Sequence, residues 1–302
     1  MSPDSTVRLP LSPGSQPLLT LAPLWQGAGD PQMRMERSEI VRATRTPSGP
    51  ASVRLRLGRD EIRAEAWGAG AAAALDELPA LLGSHDDPSQ FQPRHVLLHD
   101  LAHRFGGLRM TSGANVSEVA LGTIIAQKVT SFEARREHRL LLRRFGEPAP
   151  GPLGLTLPPA PERLASLPYH MLHPLGIERR RADTLRAAAA AASSLQEAAR
   201  SGVAQHLHRR LQAVRGIGPW TSAEIVRLVL GDPDAVSVGD YNLPHLVSWA
   251  LAGERRGSDA RMLELLEPYR GQRARAVLLI ELGGRYPPRH GPRLAPRAIA
   301  GI

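Results

Sequence analysis

The 302-residue chain contains no cysteine. That excludes structural disulfides and any zinc site or iron–sulfur cluster held by thiolates. It contains one lysine, Lys128, among 38 basic residues, so nearly all of the positive charge is arginine. No apolar run approaches the ~20 residues that span a bilayer. The opening stretch MSPDSTVRLPLSPGSQPLL lacks the basic start, apolar core and small-residue site of a signal peptide. No fixed-period repeat runs along the chain. We therefore expect a cytoplasmic protein without a membrane partner.

What is present points to a folded chain. It is 42% hydrophobic and 22% charged, a globular balance, and its length allows two or three modest domains. The formal charge of +9 favours a polyanionic partner such as nucleic acid, although an arginine-rich codon bias alone gives the same sign.

Periodicity divides the chain. Residues 1 to about 17 are rich in Pro and Ser and read as a loose arm. In SVRLRL, Val53, Leu55 and Leu57 alternate with Arg54 and Arg56, and EIRAEAW repeats the alternation with Ile62, Ala64 and Ala66. IVRATRT, ended by Pro47 and Gly49, is a third strand candidate, and AAAALDELPALL reads as a short helix. SHDDPSQFQP is the expected linker. From about residue 93 the pattern is helical, with Leu97, Leu98, Leu101 and Ala102 in one stripe. SEVALGTIIAQKVTSFEARREHRLLLRRFG is a long helical reading with a break expected near Thr130. GEPAPGPLGLTLPPAP reads as a loop, and ERRRADTLRAAAAAASSLQEAA as helix. The fold class is α+β: a sheet domain over 1–92, a helical domain over 113–235, and a second helical lobe from 93–112 plus 236–302.

The most specific stretch is VRGIGPWTSAEIVRLVLGDPDAVSVGDYNL, residues 214–243. Leu211, Val214, Ile225 and Leu228 are spaced so that two helices joined at RGIGPW bury apolar faces against each other. Gly216 and Gly218 permit positive φ and bring backbone close to whatever lies outside the turn. Pro219 suits the first turn of the second helix, whose leading N–H groups form an anion site. Asp240 also reads as an N-cap for the helix that follows.

These residues resemble the helix-hairpin-helix DNA glycosylase superfamily, whose signature is hairpin, Gly/Pro-rich loop and aspartate. Within it the chain is similar to the 3-methyladenine DNA glycosylase II branch. The N-terminal sheet, IIAQKVT, LGIERRRADTLRAAA and PYRGQRA fall in the expected order. The resemblance implies that Asp240 is the catalytic carboxylate and that Trp220, Tyr241 and Glu224 line a base pocket. It implies that Gly216, Ile217, Gly218 and Thr221 hold a DNA phosphate, and that Gln127 and Lys128 enter the gap left by a flipped base. The implied reaction hydrolyses the N-glycosidic bond of a damaged, alkylated purine in double-stranded DNA, by a monomer without a cofactor. A monovalent cation on the hairpin carbonyls belongs to the same expectation. A fixed carboxylate stabilises the positive charge that develops on the sugar, and aromatic walls replace the stacking a flipped base loses.

Three residues depart from the pattern. Glu224 stands where a tyrosine is common, Leu278 where a tryptophan is common, and Lys128 where an apolar wedge is common. Related enzymes that also cut the strand carry a lysine where this chain has Trp220, so we expect a monofunctional glycosylase. The rival reading is a DNA-binding homologue with weak or lost catalysis. His99 and His103 are four apart, but neither their order nor their helix favours a metal site. His206 and His208 read as basic surface. ERRR and the C-terminal RYPPRHGPRLAPR read as solvated arginines within reach of a DNA backbone.

Overall fold

Alternation of apolar and charged residues builds the sheet at the start of the chain. In this computed structural model, which describes residues 1–284 and 286–287, five strands pair antiparallel in the order β1-β5-β4-β3-β2. They are β1 (Ser5–Pro10), β2 (Met33–Met35), β3 (Glu39–Thr46), β4 (Gly49–Leu57) and β5 (Glu61–Trp67). Val53, Leu55, Ile62, Ala64 and Ala66 are buried on one face, and Arg56 and Arg63 are exposed on the other. The expected loose arm is corrected: STVRLP pairs Val7 with Ala64 and Leu9 with Ile62. Its Pro and Ser masked a period-two pattern, and Pro10 is tolerated because it ends an edge strand.

AAAALDELPALL forms two helical pieces, Ala71–Asp76 and Leu78–Leu81, with Pro79 in the first turn of the second. Ala71, Ala74 and Leu75 pack on the sheet. The opposite face carries Val41, Ala43 and Trp67, which Leu153, Leu155 and Leu157 cover. The Pro/Gly loop is therefore a lid on the sheet, folded by a short ribbon of Glu147–Pro148 against Thr156–Leu157.

The helical part begins with α1 (Val96–Arg104), α2 (Val116–Ile125) and α3 (Ser131–Phe145). The long helical reading breaks between α2 and α3, where Thr130 and Glu133 form a capping box that satisfies two orphan N–H groups. Glu118 on α2 ties the sheet to this bundle. Its carboxylate accepts from Gln32 Nε2 (2.7 Å), Arg42 Nη2 (2.9 Å), Thr44 Oγ1 (3.0 Å) and the Arg45 N–H (2.9 Å). Four donors offset the desolvation of a nearly buried charge.

Next come α4 (Arg179–Ala190), α5 (Ala204–Gln212), α6 (Pro219–Leu230), α7 (Leu243–Ala252) and α8 (Arg273–Gly283). ERRR divides in two. Arg179 and Arg180 are exposed, whereas Arg181 is buried, pairs with Glu137 of α3 and donates to the Ile125 carbonyl at 2.7 Å. It thereby clamps the end of α2. His208 is likewise not simple basic surface, since its Nδ1 lies 3.1 Å from Ser222 Oγ and burial pushes its pKa down. RYPPRHGPRLAPR, except Tyr286 and Pro287, lies outside the described residues.

Buried side chains form two large clusters. One joins the sheet to α2 through α6. The other gathers Phe91, Leu97, Leu98 and Leu101 with Leu243, Leu246, Met262, Leu266, Leu279 and Ile280. The second lobe is thus assembled from two segments far apart in the chain. SHDDPSQFQP is anchored rather than free: Asp86 pairs with buried Arg275 and accepts the Met110 N–H at 2.9 Å, while Phe91 stacks on Tyr269 at 5.8 Å. Among the described residues no helix is long and apolar enough to cross a membrane.

Candidate active site

The hairpin between α5 and α6 buries Leu211, Val214, Ile225 and Leu228, as their spacing predicts. Its two glycines do different jobs. Gly216 has φ +93°, and a methyl group there would lie 1.9 Å from Thr184 Oγ1 on α4. Gly218 has φ −100°, so positive φ is required only at Gly216. A Cβ on Gly218 would meet nothing within 4 Å, and α6 starts at Pro219 without a side-chain cap. Its positive end therefore opens onto free space, the arrangement that accepts an anion.

Three expected contacts sit elsewhere. Ile217 and Thr221 are buried, so an anion here would meet backbone rather than their side chains. Gln127, expected in the DNA gap, turns inward and donates from Nε2 to the Gly216 carbonyl (3.0 Å) and Thr221 Oγ1 (2.8 Å). It braces the hairpin. Lys128 is exposed and is the only non-glycine residue with positive φ among those described, at +55°. A side chain held in that region costs about 1 kcal/mol or more and marks a constrained position. Lys128 lines a cavity of ≈ 310 Å³ together with Arg180, Gly218, Trp220, Asp240 and Tyr241.

Asp240 is held at both oxygens. Oδ1 accepts the N–H groups of Asn242 (2.7 Å) and Leu243 (2.8 Å), and Oδ2 accepts from Trp220 Nε1 at 3.0 Å. The N-cap reading is corrected: Asn242 is the N-cap of α7, and Asp240, two residues earlier, ties down the turn that leads into the helix. The loop that presents it is tethered as well. Asp234 accepts from the Gly271 N–H (2.8 Å) and Arg273 Nε (2.8 Å), and the Gly239 N–H donates to Asp259 at 3.1 Å. Trp220 is half-buried and orients the carboxylate as well as walling the cleft. Tyr241 is 80% exposed, so it stands at the rim rather than in a closed wall.

Behind Trp220 the cleft becomes acidic. A ≈ 190 Å³ cavity reaches from Trp220 and Glu224 to the sheet, and a ≈ 50 Å³ one joins Glu224, Arg227, Ser237, Asp240, Leu278 and Glu281. A further cavity, ≈ 500 Å³, between α2, α4 and the Pro/Gly loop contains neither Trp220 nor Asp240. Glu224 accepts from Arg227 Nη2 at 2.7 Å and from Ser237 Oγ. Burial alone would push its carboxyl up, but Arg227 and Ser237 outweigh that and hold it below the ordinary value. Arg227, Ser237 and Glu281 escaped the sequence reading. The available signal was spacing, since Arg227 follows Glu224 by three residues and Glu281 follows Leu278 by three, each on one helix face. Among the described residues no group of three metal-ligating side chains occurs.

Comparison with known proteins gives the frame. No family model matches the chain. A probable bifunctional transcriptional activator/DNA repair enzyme AlkA of Mycobacterium tuberculosis is 30% identical over 142 residues, which is 45% of this chain and 28% of that relative's own length. A 3-methyladenine DNA-glycosylase from Archaeoglobus fulgidus superposes with a TM-score of 0.73 at 19% identity, covering 91% of this chain and 96% of that one. A Clostridium acetobutylicum 8-oxoguanine glycosylase/lyase bound to double-stranded DNA superposes with a TM-score of 0.70 at 13% identity, covering 94% and 99%. With its N-terminal sheet, its hairpin and the aspartate that follows, the chain has the fold of the helix-hairpin-helix DNA glycosylases.

Proposed function

We propose that the protein is a monofunctional DNA glycosylase that hydrolyses the N-glycosidic bond of damaged purines, alkylated ones foremost, and leaves an abasic site. The observation that carries this reading is Asp240, fixed by three N–H donors in a cleft that it shares with Trp220, Lys128 and the open end of the hairpin. Double-stranded DNA would lie across the hairpin, with a phosphate at the Gly218 backbone and the N-terminus of α6. Lys128 would enter the space vacated by a flipped nucleotide. As the C1′–N bond stretches, positive charge spreads over the sugar, and a preorganised carboxylate stabilises it without having to reorganise. Water then adds to C1′.

Two hairpin carbonyls, Val214 and Gly216, already accept the Ile217 N–H and the Gln127 amide. A monovalent cation would share these oxygens with those donors, and no step depends on it. Strand cleavage would need an amine. The hairpin position holds Trp220, and the sole lysine, Lys128, lies in the same cavity as Asp240 but on the α2–α3 loop.

The test is base release from methylated duplex DNA, read by mass detection. Wild type should release base, and Asp240→Asn should lower the rate by about 100-fold or more. A wild type that binds DNA but releases no base from a lesion panel would leave the non-catalytic DNA-binding homologue as the answer. Borohydride should trap no covalent adduct with lesion DNA; an adduct lost in Lys128→Ala would overturn the monofunctional part.

A further inference from the structure

The arginines of α3 take no part in the cleft. In SFEARREHRLLLRRF, Phe132, Arg135, Arg136, Arg139 and Arg143 recur at helical spacing and form one outward stripe about 16 Å long. The opposite face, with Ala134, His138, Leu141, Leu142 and Phe145, is buried. Phe132 begins the stripe and is 62% exposed.

Among the described residues neither these arginines nor Arg144 forms an ion pair. The acids of α3 are used inside the fold: Glu133 closes the capping box and Glu137 pairs with Arg181. Asp30, on the loop that packs against α3, is buried and accepts the Gln26 and Gln32 N–H groups. Other arginine-rich elements carry acids of their own. Arg54 and Arg56 on β4 pair with Glu65, and Arg179 and Arg186 on α4 share Asp183. Arginines three and four apart on one helix repel, so the stripe weakens α3. Arg143 and Arg144 suit the negative pole at the helix end, but Arg135, Arg136 and Arg139 have no such reason.

Two of the arginines are held in place. Arg139 Nη1 donates to the Ala28 carbonyl at 3.0 Å, and the Arg135 side chain lies over Gly27, where a Cβ would come within 3.1 Å of it. Side chains fixed before binding lose little freedom when an anion arrives. A row of guanidinium groups without acids fits a polyanion of closely spaced charge, and duplex DNA is one. The stripe starts beside the Lys128 loop, and α3 ends where Gly146 abuts Thr156 and Leu157 of the ribbon that covers the sheet. It therefore leads away from the hairpin. A duplex is stiff over about 150 base pairs, so one seated across the hairpin does not follow it.

We propose that the α3 stripe is a second DNA-binding surface, which holds the phosphate backbone of a duplex other than the one in the cleft. Its contacts go to phosphates and carry no sequence information. A protein that grips two segments passes from one to the next without a free interval, so exchange between DNA molecules quickens as DNA becomes more concentrated. Neither Asp240 nor the rest of the cleft takes part.

The test loads the full chain with a duplex carrying a tetrahydrofuran abasic analogue and one dye, whose retention is followed. An undamaged duplex with a second dye is then titrated and read by anisotropy. Four phosphate contacts give this second binding a salt slope of about −3.6. Arg136→Gln/Arg143→Gln, at two side chains without a hydrogen bond among the described residues, should bring the slope to about −1.8. Arg136→Lys/Arg143→Lys should restore it, and both variants should release base from methylated duplex at the wild-type single-turnover rate. Failure of the filled protein to bind a second duplex overturns the proposal, as does a slope that the glutamine pair leaves unchanged. A loss of affinity for the first duplex that grows with its flank length assigns the stripe to that duplex and overturns the proposal too. So does poly-glutamate bound where duplex is not, which would make the surface a site for an acidic protein. Base release and second-duplex binding are read separately, so the failure of one leaves the other standing.

Discussion

The two hairpin glycines make opposite predictions although they stand two residues apart. At Gly216 any side chain must both adopt φ +93° and displace Thr184 Oγ1, only 1.9 Å from the new Cβ. Gly216→Ala should therefore lower stability by about 2–4 kcal/mol, measured by urea unfolding, and DNA binding should fall with it. Gly218 faces open space at an ordinary φ. Gly218→Val should change stability by no more than about 1 kcal/mol, while weakening duplex binding about tenfold by blocking the backbone approach. Equal effects at the two positions would show that the turn is structural only. Gln127 teaches the same lesson about single residues. Its place beside Lys128 in the sequence suggested a shared role in the DNA gap, but the chain turns between them. One side chain faces the hairpin and the other the cleft.

At the scale of elements, the sheet and the hairpin lobe are joined through one carboxylate. Glu118 receives four donors from two segments of the sheet domain, so Glu118→Ala strands Arg42 and Gln32 in a buried setting. The expected loss is about 3–5 kcal/mol in chemical denaturation, with Glu118→Gln recovering part of it. Elements with strong periodicity were legible before the fold was seen: β3 to β5, the α2–α3 break and the apolar seam of the hairpin all follow from residue spacing. β1 was not, because Pro and Ser flank a six-residue alternation too short to stand out. The cover made by Leu153, Leu155 and Leu157 was equally hidden, since Pro and Gly around it signal a loop without saying what it packs on. In the site, Asp240 and Trp220 could be named from the motif. The small cavity that α8 and Asp240 line together could not, because its walls come from elements more than 30 residues apart that meet only when the second lobe closes.

At the scale of the whole molecule, a formal charge of +9 sets the long-range field, and exposed Lys128, Arg180 and Arg215 concentrate it near the hairpin. Phosphate contacts from Arg180 and Arg215 would give a salt slope of about −1.8, so duplex affinity should fall about 12-fold between 50 and 200 mM salt. Arg215→Ala should reduce that slope by about 0.9 in a fluorescence anisotropy titration; an unchanged slope would remove Arg215 from the phosphate contacts. The discontinuous second lobe bears on how the chain is made. Leu97, Leu98 and Leu101 emerge from the ribosome long before their partners Leu279 and Ile280, which follow about 180 residues later. At synthesis rates of about 5–20 residues per second, α1 waits roughly 10–35 s with its apolar face uncovered. The sheet and hairpin lobe can close during that interval, but the small cavity beside Asp240, which Ala274, Val277 and Leu278 line, is complete only when α8 arrives. A nascent chain therefore presents the hairpin well before the far wall of that cavity is in place.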